Sequence, residues 1–352
     1  MSGLDIEAFL NKHGICNHPI AIVNRIRNHL DESGQVTLQK HVLQETSSWD
    51  ILYSLLRSTY GGQDGIYKKH VQARIGTSGA SYRYGCKVFA FEEISNKIKV
   101  HFQDENGQAN TSLVDLLIGA DGANSTVRSI ILPSVKTQYV GYVAWRGTVL
   151  ESEVSQAVIE ICVEKVCFFF SEHLQMIVYT IPGENGSIEA GKRLINWVWY
   201  MNYTHDSIAY NELMTDCDGC QHHSTIPAGK VSEIVWKQQR VTARKRLPPQ
   251  FTEIVESTER PFVQCITDLI SPRNAFLDGK VLLIGDSVAT FRPHTGASTN
   301  QAAFHVLKLE EYLQGFIDLE QWQKETMKYA TRMFEIGVKL GQESQFGHYQ
   351  HT

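Results

Sequence analysis

A chain of 352 residues with 42% hydrophobic and 20% charged content has ordinary globular composition and is long enough for two domains, or one large domain with an insertion. Its formal charge of −5, with Lys and Arg spread along the chain, excludes the basic stripe of a nucleic-acid or anionic-membrane binder and leaves small molecules as the expected partners. Seven cysteines at irregular spacings read as thiols of a reducing, cytoplasmic compartment.

The first residues carry Asp5 and Glu7 and no basic region ahead of an apolar core, so they are not a signal peptide. Over residues 2–13, Leu4, Phe9 and Leu10 ahead of Gly14 predict a short helix. Residues 20–30 and 36–43 flank Asp31-Glu32-Ser33-Gly34, a polar turn with a glycine where positive φ is wanted, and predict a hairpin. A helix is expected over 48–59, where Ile51, Leu52, Leu55 and Leu56 follow the caps Ser47 and Ser48, with a stop at Gly61-Gly62. Residues 86–92 and 97–103 alternate around Ser95-Asn96 like a half-exposed antiparallel pair.

The pattern then changes. Residues 113–118 are nearly all apolar and end in Gly119-Ala120-Asp121-Gly122, which predicts a strand buried on both faces with an acid at its C-terminal edge. Residues 281–284 repeat the device and end in Gly285-Asp286. Helices are expected after each, over 125–131 and 298–313. Between them, residues 139–262 are rich in aromatic and β-branched side chains and read as an inserted antiparallel sheet, with 231–259 helical and Pro248-Pro249 at a helix start or break. The most apolar run, 166–182, is interrupted by Ser171, Glu172, His173 and Gln175, well short of the roughly 20 apolar residues of a membrane span.

In an open α/β sheet, ligands lie beyond the C-terminal strand ends, so Asp121 and Asp286 are placed to meet ribose hydroxyls; a plain Asp-Gly turn is the alternative for each. After Gly285-Asp286 comes Arg292-Pro293-His294-Thr295-Gly296-Ala297-Ser298-Thr299-Asn300, then the apolar-periodic helix. A helix N-terminus offers unpaired N–H groups and a positive dipole end, and a glycine there lets a ligand approach closely. That suits an electron-rich heterocycle such as a flavin.

These runs resemble those of para-hydroxybenzoate-hydroxylase-type FAD-dependent monooxygenases. Residues 115–128 look like the Asp-Gly motif of that family and residues 281–300 like its later Gly-Asp motif. Tyr142-Val143-Ala144-Trp145-Arg146-Gly147, Asn196-Trp197-Val198-Trp199-Tyr200 and Arg292-Pro293-His294 resemble the 2,6-dihydroxypyridine 3-monooxygenase group. The likeness covers nearly the whole chain. It implies an α/β fold: a Rossmann-like FAD/NAD(P)-binding domain, N-terminally truncated, with an inserted antiparallel substrate sheet.

On that reading residues 1–136 are the incomplete FAD-binding domain, with a small hairpin near 18–45 given to the substrate domain. Residues 137–265 are the substrate sheet and 266–352 the FAD-binding return with C-terminal helices. The resemblance further implies FAD held by Gly285, Asp286, Pro293, Gly296, Ala297, Ser298 and Thr299, with Asp121, Gly122 and Arg128 along the path of the dinucleotide or reductant. NAD(P)H would reduce the flavin, and one atom of O2 would enter an electron-rich aromatic ring. It names no dedicated acid or base, because the cofactor carries the difficult chemistry. A homodimer is compatible with it.

Two departures stand out. No Gly-x-Gly-x-x-Gly turn opens the chain, and Ala289 stands where many relatives have histidine. A rival reading is therefore kept: a flavin-free homologue with a non-redox binding or cyclising role. For the ring pocket the candidates are Arg146, with structural ion pairing as the alternative, His294, with an exposed loop position as the alternative, and Tyr200. Alternation over 195–203 puts Trp197, Trp199 and Tyr203 on one face and Asn196, Tyr200 and Asn202 on the other. Cys217-Asp218-Gly219-Cys220 with His222 and His223 invites zinc, but a structural site needs a second spaced pair and Asp-Gly is turn chemistry, so no metal is expected.

Overall fold

A computed structural model describes residues 3–13, 15, 19–58 and 81–347 of the chain. In chain order its elements are α1 (Leu4–Lys12), β1 (Ile22–Leu30), β2 (Val36–Thr46), α2 (Trp49–Ser58), β3 (Lys87–Ile94), β4 (Lys97–Gln103), β5 (Ala109–Val114), β6 (Leu117–Gly119) and α3 (Thr126–Ile131). There follow β7 (Gln138–Leu150), α4 (Gln156–Cys162), β8 (Lys165–Ser171), β9 (Leu174–Ile181), β10 (Leu194–Asn202), α5 (Ile208–Leu213), β11 (Thr225–Ile226), α6 (Glu233–Arg246) and α7 (Pro249–Glu256). The last are β12 (Phe262–Ile270), β13 (Ala275–Phe276), β14 (Val281–Leu283), β15 (Ala289–Thr290), α8 (Ser298–Leu313) and α9 (Leu319–Phe346). The expected helix stop at Gly61-Gly62 lies outside the described residues, as does Gly14.

The large sheet runs β11-β12-β7-β10-β9-β8-β1-β2, with β15 pairing β12. Its middle is antiparallel, but the β1–β2 hairpin joins through β1 running parallel to β8, so the sheet is mixed. One face holds the main core, built from Trp145, Trp197, Trp199, Phe169 and Met176 against α4, α6 and α7. The opposite face is smaller and more polar, with Tyr142, Ala144, Val198, Tyr200 and Ile266 clustered on it. A period of two separates the two sets along each strand. The alternation expected for Trp197, Trp199 and Tyr200 is thus present.

A second, smaller sheet has three strands, β13-β14-β6, in which β14 and β6 run parallel. Val281, Leu282 and Leu283 are fully buried, as their continuous apolar run requires. Residues 113–118 behave differently. They split between the end of β5, in a separate antiparallel sheet β3-β4-β5, and the short β6, with Asp115 and Leu116 between. Leu113 is 57% exposed and Ile118 36%, so the expectation of one strand buried on both faces is corrected. An apolar run reports the residues it holds, and what covers them comes from the rest of the chain.

α1 is fastened from the far end of the sequence. The Asn300 side chain accepts the backbone N–H of Asp5 (2.9 Å) and Ile6 (3.2 Å), two of the donors a helix start leaves unpaired, and donates to Tyr329 Oη (2.8 Å). This holds α1 against α8 and α9. Among the described residues no helix is long and apolar enough to cross a membrane.

Candidate functional site

The two strand-end acids are brought together at one edge. Because β6 and β14 are parallel neighbours, the turns after them emerge side by side, and Ile284 N–H donates to Gly119 O (3.1 Å). The Ser287 hydroxyl ties the same junction by donating to Gly119 O (2.7 Å) and accepting Ile284 N–H (3.1 Å). Asp121 is spent as a helix cap: its Oδ1 accepts Ser125 Oγ–H (2.5 Å), and its Oδ2 accepts the backbone N–H of Thr126 (2.7 Å) and Val127 (3.1 Å) at the start of α3. Gly122 holds φ +78, which a side chain would strain.

Arg128 is buried and donates to Ser287 O (3.0 Å) and Ala123 O, bracing the two turns against each other. Burial pulls its guanidinium below its ordinary value, with the Asp121 charge opposing. In this structure Asp121 and Arg128 therefore shape the edge, with both Asp121 oxygens and the two terminal Arg128 nitrogens already engaged and Arg128 Nε left without a partner.

The Gly-Asp turn is more open to a ligand. Gly285 sits at φ +62 and its N–H donates to His305 Nδ1 (3.0 Å). Nδ1 is thus the bare nitrogen, and Nε2–H donates to Thr326 O on α9 (3.3 Å). Burial drives the His305 imidazole down to about 4, so it stays neutral. Asp286 accepts a hydrogen bond from the Ser298 hydroxyl at the start of α8. Burial raises its carboxyl above the usual range, and that hydrogen bond opposes the rise. Gly296 precedes α8 in the left-handed conformation (φ 60, ψ 20), and Ala297 at the N-cap supplies no side-chain hydrogen bond. The sixteen-residue α8 thus begins with an uncapped N-terminus beside a carboxylate and a glycine, a donor set that fits the electron-rich end of a flavin.

Between Asp286 and Ser298 the chain reaches the polar face of the large sheet. Pro293 opens the short turn that carries His294 into it. His294 Nδ1 donates to Gln175 Oε1 (2.8 Å), an atom that only accepts, so Nε2 accepts the Tyr142 hydroxyl hydrogen (2.9 Å). Its ring lies 4.4 Å from that of Tyr200. Burial, then the charge of Arg292, lowers the imidazole to about 3. The exposed-loop alternative for His294 is thereby set aside. Arg292 Nε donates to Asp268 Oδ2 (2.9 Å), a buried pair that anchors the segment to β12.

Arg146 lies on the same sheet face and forms no ion pair among the described residues, so the structural-pairing alternative is absent there. Tyr200 is buried beside His294, and burial raises its phenol. Residues that sequence reasoning missed are Tyr142, Gln175, Asp268, Ser287 and His305. Of these only Tyr142 left a signal, four positions before Arg146 on an alternating strand.

The Cys217–Cys220 turn is held by Asp216, whose Oδ1 accepts the N–H of Asp218 and Cys220 (2.9 Å each), while His222 Nε2 sits 2.7 Å from its Oδ2. Among the described residues no group of three or more His, Cys, Asp or Glu is placed to hold a metal. A surface groove of about 810 Å³ is lined by Glu32, Ser171 and side chains of α6 and α7 and by none of the site residues. Its Arg244 and Glu253 are already engaged, with Glu256 and with Ser155, so its size alone does not make it the functional cleft.

In fold and in sequence the chain is similar to FAD-dependent aromatic-ring monooxygenases. Residues 139–268 match the model of the FAD binding domain-like family. The chain is a homologue of 2,6-dihydroxypyridine 3-monooxygenase of Paenarthrobacter nicotinovorans, with 28% identity over 258 residues, 72% of this chain and 62% of that protein. It thus spans less than two thirds of that relative's length. The fold matches the structure of 2,6-dihydroxypyridine-3-hydroxylase from Arthrobacter nicotinovorans with a TM-score of 0.84 at 22% identity, covering 99% of this chain and 85% of that one. It also matches Klebsiella pneumoniae HpxO complexed with FAD and uric acid, with a TM-score of 0.67 at 17% identity over 99% of this chain and 78% of that one.

Proposed function

We propose that this chain is an FAD- and NAD(P)H-dependent monooxygenase that hydroxylates an aromatic or heteroaromatic small molecule in the cytoplasm. The observation that carries the reading is the reach of one short segment. It holds Gly285 and Asp286 at the parallel strand end, His294 against the polar sheet face, and Gly296 at the uncapped start of α8. A cofactor on the turn and a ring on the sheet would therefore share a boundary.

When bound, FAD supplies the redox chemistry: it takes a hydride from NAD(P)H and activates O2. Gly285, Asp286, Pro293, Gly296, Ala297, Ser298 and Thr299 would hold it, with Asp121, Gly122 and Arg128 shaping the adjoining edge. The chain's own work is placement. Tyr142, Tyr200 and His294 present a largely desolvated aromatic wall, and neutral His294 offers no positive charge to the ring. The Tyr142 hydroxyl and the His294 imidazole form a fixed donor–acceptor pair that orients both groups. Arg146 and Tyr200 would line the ring site.

The test is reconstitution of the purified chain with FAD, followed by NAD(P)H oxidation with a panel of hydroxylated pyridines and benzenes. Expected are near-equimolar flavin absorbance, oxidation stimulated by a ring substrate, and a product heavier by one oxygen atom. A preparation that takes up no FAD at any concentration overturns the reading and favours the flavin-free rival.

A further inference from the structure

Cys217 and Cys220 take no part in the site described above, and among the described residues they belong to no group placed to hold a metal. His222, which would have to join them as a ligand, is engaged by Asp216. Both cysteines are exposed. Of the other described cysteines, Cys162, Cys167 and Cys265 are buried and Cys86 is half-buried. Among the described residues the two exposed thiols therefore share one short run, three positions apart.

The backbone folds that run back on itself. Asp216 N–H donates to Cys220 O and Gly219 N–H to Asp216 O (3.0 Å each), and Thr215 pairs antiparallel with Gln221 below them. The chain thus reverses over Cys217, Asp218 and Gly219. Gly219, at φ +80, supplies the left-handed residue that a three-residue hairpin loop wants before its second strand. The Asp216 carboxylate braces the loop from inside by accepting the N–H of Asp218 and Cys220. A tight reversal holds residues three apart within roughly 7 Å of one another. A disulfide bridges Cα atoms about 4.4–6.8 Å apart. The backbone bonds therefore keep the two cysteines at bridging range before any bridge forms, and the only bond either thiol makes is a long one from Cys217 Sγ–H to Asp218 Oδ1 (3.8 Å).

We propose that Cys217 and Cys220 form a reversible dithiol–disulfide couple at the protein surface, with hydrogen peroxide as its oxidant. One cysteine attacks peroxide as the thiolate: a sulfur–oxygen bond forms, the O–O bond breaks, and the hydroxide that leaves takes up the thiol proton as water. The second thiol then attacks the sulfenic sulfur, the S–S bond forms, and the S–O bond breaks with loss of a second water. Each sulfur gives up one electron, and the peroxide takes both. A thiol reductant reverses the change by exchange through a mixed disulfide. The couple needs no bound flavin, so it stands or falls apart from the hydroxylase reading.

The test uses the full chain, reduced, freed of reductant and exposed to a small excess of hydrogen peroxide, with glutathione treated alongside as the control thiol. Remaining thiols are alkylated and the tryptic peptides weighed. Residues 194–230 form one such peptide, ending at Lys230, and hold no cysteine besides Cys217 and Cys220. Expected is that peptide without alkylation and lighter by two hydrogen atoms, returned by dithiothreitol to a form alkylated twice. Cys217→Ser and Cys220→Ser each leave a sulfenic acid with no partner thiol, so dimedone should trap it at about tenfold or more the level in the unaltered chain. Both substitutions are at exposed positions, and circular dichroism checks that the fold is kept. A sulfinic acid on either cysteine, a disulfide joining two chains, or a twice-alkylated peptide under conditions that oxidise glutathione overturns the proposal. So does protection from alkylation without loss of the two hydrogens, which would mean a bound metal.

Discussion

His294, half-buried, and His305, fully buried, are uncharged imidazoles at opposite ends of one segment, and both are held neutral chiefly by desolvation. Their folded values, about 3 and about 4, lie below the ordinary 6.5. The unfolded chain therefore takes up protons first as pH falls. The stability these groups contribute is fully present above about pH 6.5 and is lost on the way down through their folded values. Each costs about 1.4 kcal/mol per pH unit within that window. Denaturant midpoints measured between pH 7 and pH 4 should fall steeply, and His294→Gln should flatten the slope. An unchanged slope in that variant would mean that His294 titrates normally in the fold. His305 has a second task, since it accepts the Gly285 N–H. His305→Asn keeps an acceptor and should bind FAD more tightly than His305→Phe, which leaves that N–H unpaired, with loss of about tenfold or more in the latter read by flavin fluorescence.

At the scale of elements, α9 and β12 hold the site from outside the motifs. Gly337 and Gly341 lie one turn apart on α9 and let the helix pass close to Arg292 and Tyr142. A Cβ at Gly341 would fall 2.5 Å from Tyr142 Oη and 2.8 Å from Arg292 Cδ. Gly341→Ala should therefore destabilise by about 1–3 kcal/mol despite the better helix propensity of alanine, and should weaken the Tyr142–His294 pairing. Asp268→Asn leaves the buried Arg292 charge without its partner, so a loss of about 3–5 kcal/mol is expected in denaturant titration. A loss under 1 kcal/mol would show that Arg292 finds another acceptor.

Neither contact was legible in the sequence, because Asp268 and Arg292 stand 24 positions apart and His294 and Gln175 stand 119 apart with nothing local to link them. Asp286 and Ser298 were legible because a strand end, a glycine and a helix start fall within one short run. Residues 113–118 and 281–284 looked alike in composition, and the structure separates them by cover: one run lies between β6 and β13, and the other is shared between two small sheets.

Across the whole molecule, the feature that sequence periodicity could not show is how the two halves join. The hairpin β1–β2 enters the large sheet parallel to β8, across more than a hundred residues, while β15 extends β12 and delivers the chain from the Gly-Asp turn to the sheet face. Alternation reveals which face a side chain takes, and strand order follows from pairings between distant segments. The halves are joined by the two pairs of β12 with β15, the Arg292–Asp268 ion pair, the His294 hydrogen bonds to Tyr142 and Gln175, and the packing of α9. A ligand lying between the turn and the sheet would add contacts to both halves at once, so FAD should stabilise them together. At a free concentration 100 times its Kd, the linkage gain is about 2.7 kcal/mol. Thermal unfolding of a Trp322→Phe variant, which removes the tryptophan of the small unit and leaves Trp145, Trp197 and Trp199 to report the large sheet, followed separately by tryptophan fluorescence and by flavin release, should then give coincident midpoints that rise with FAD. Flavin release well below the tryptophan transition would place the cofactor on the small unit alone, without contact to the sheet face.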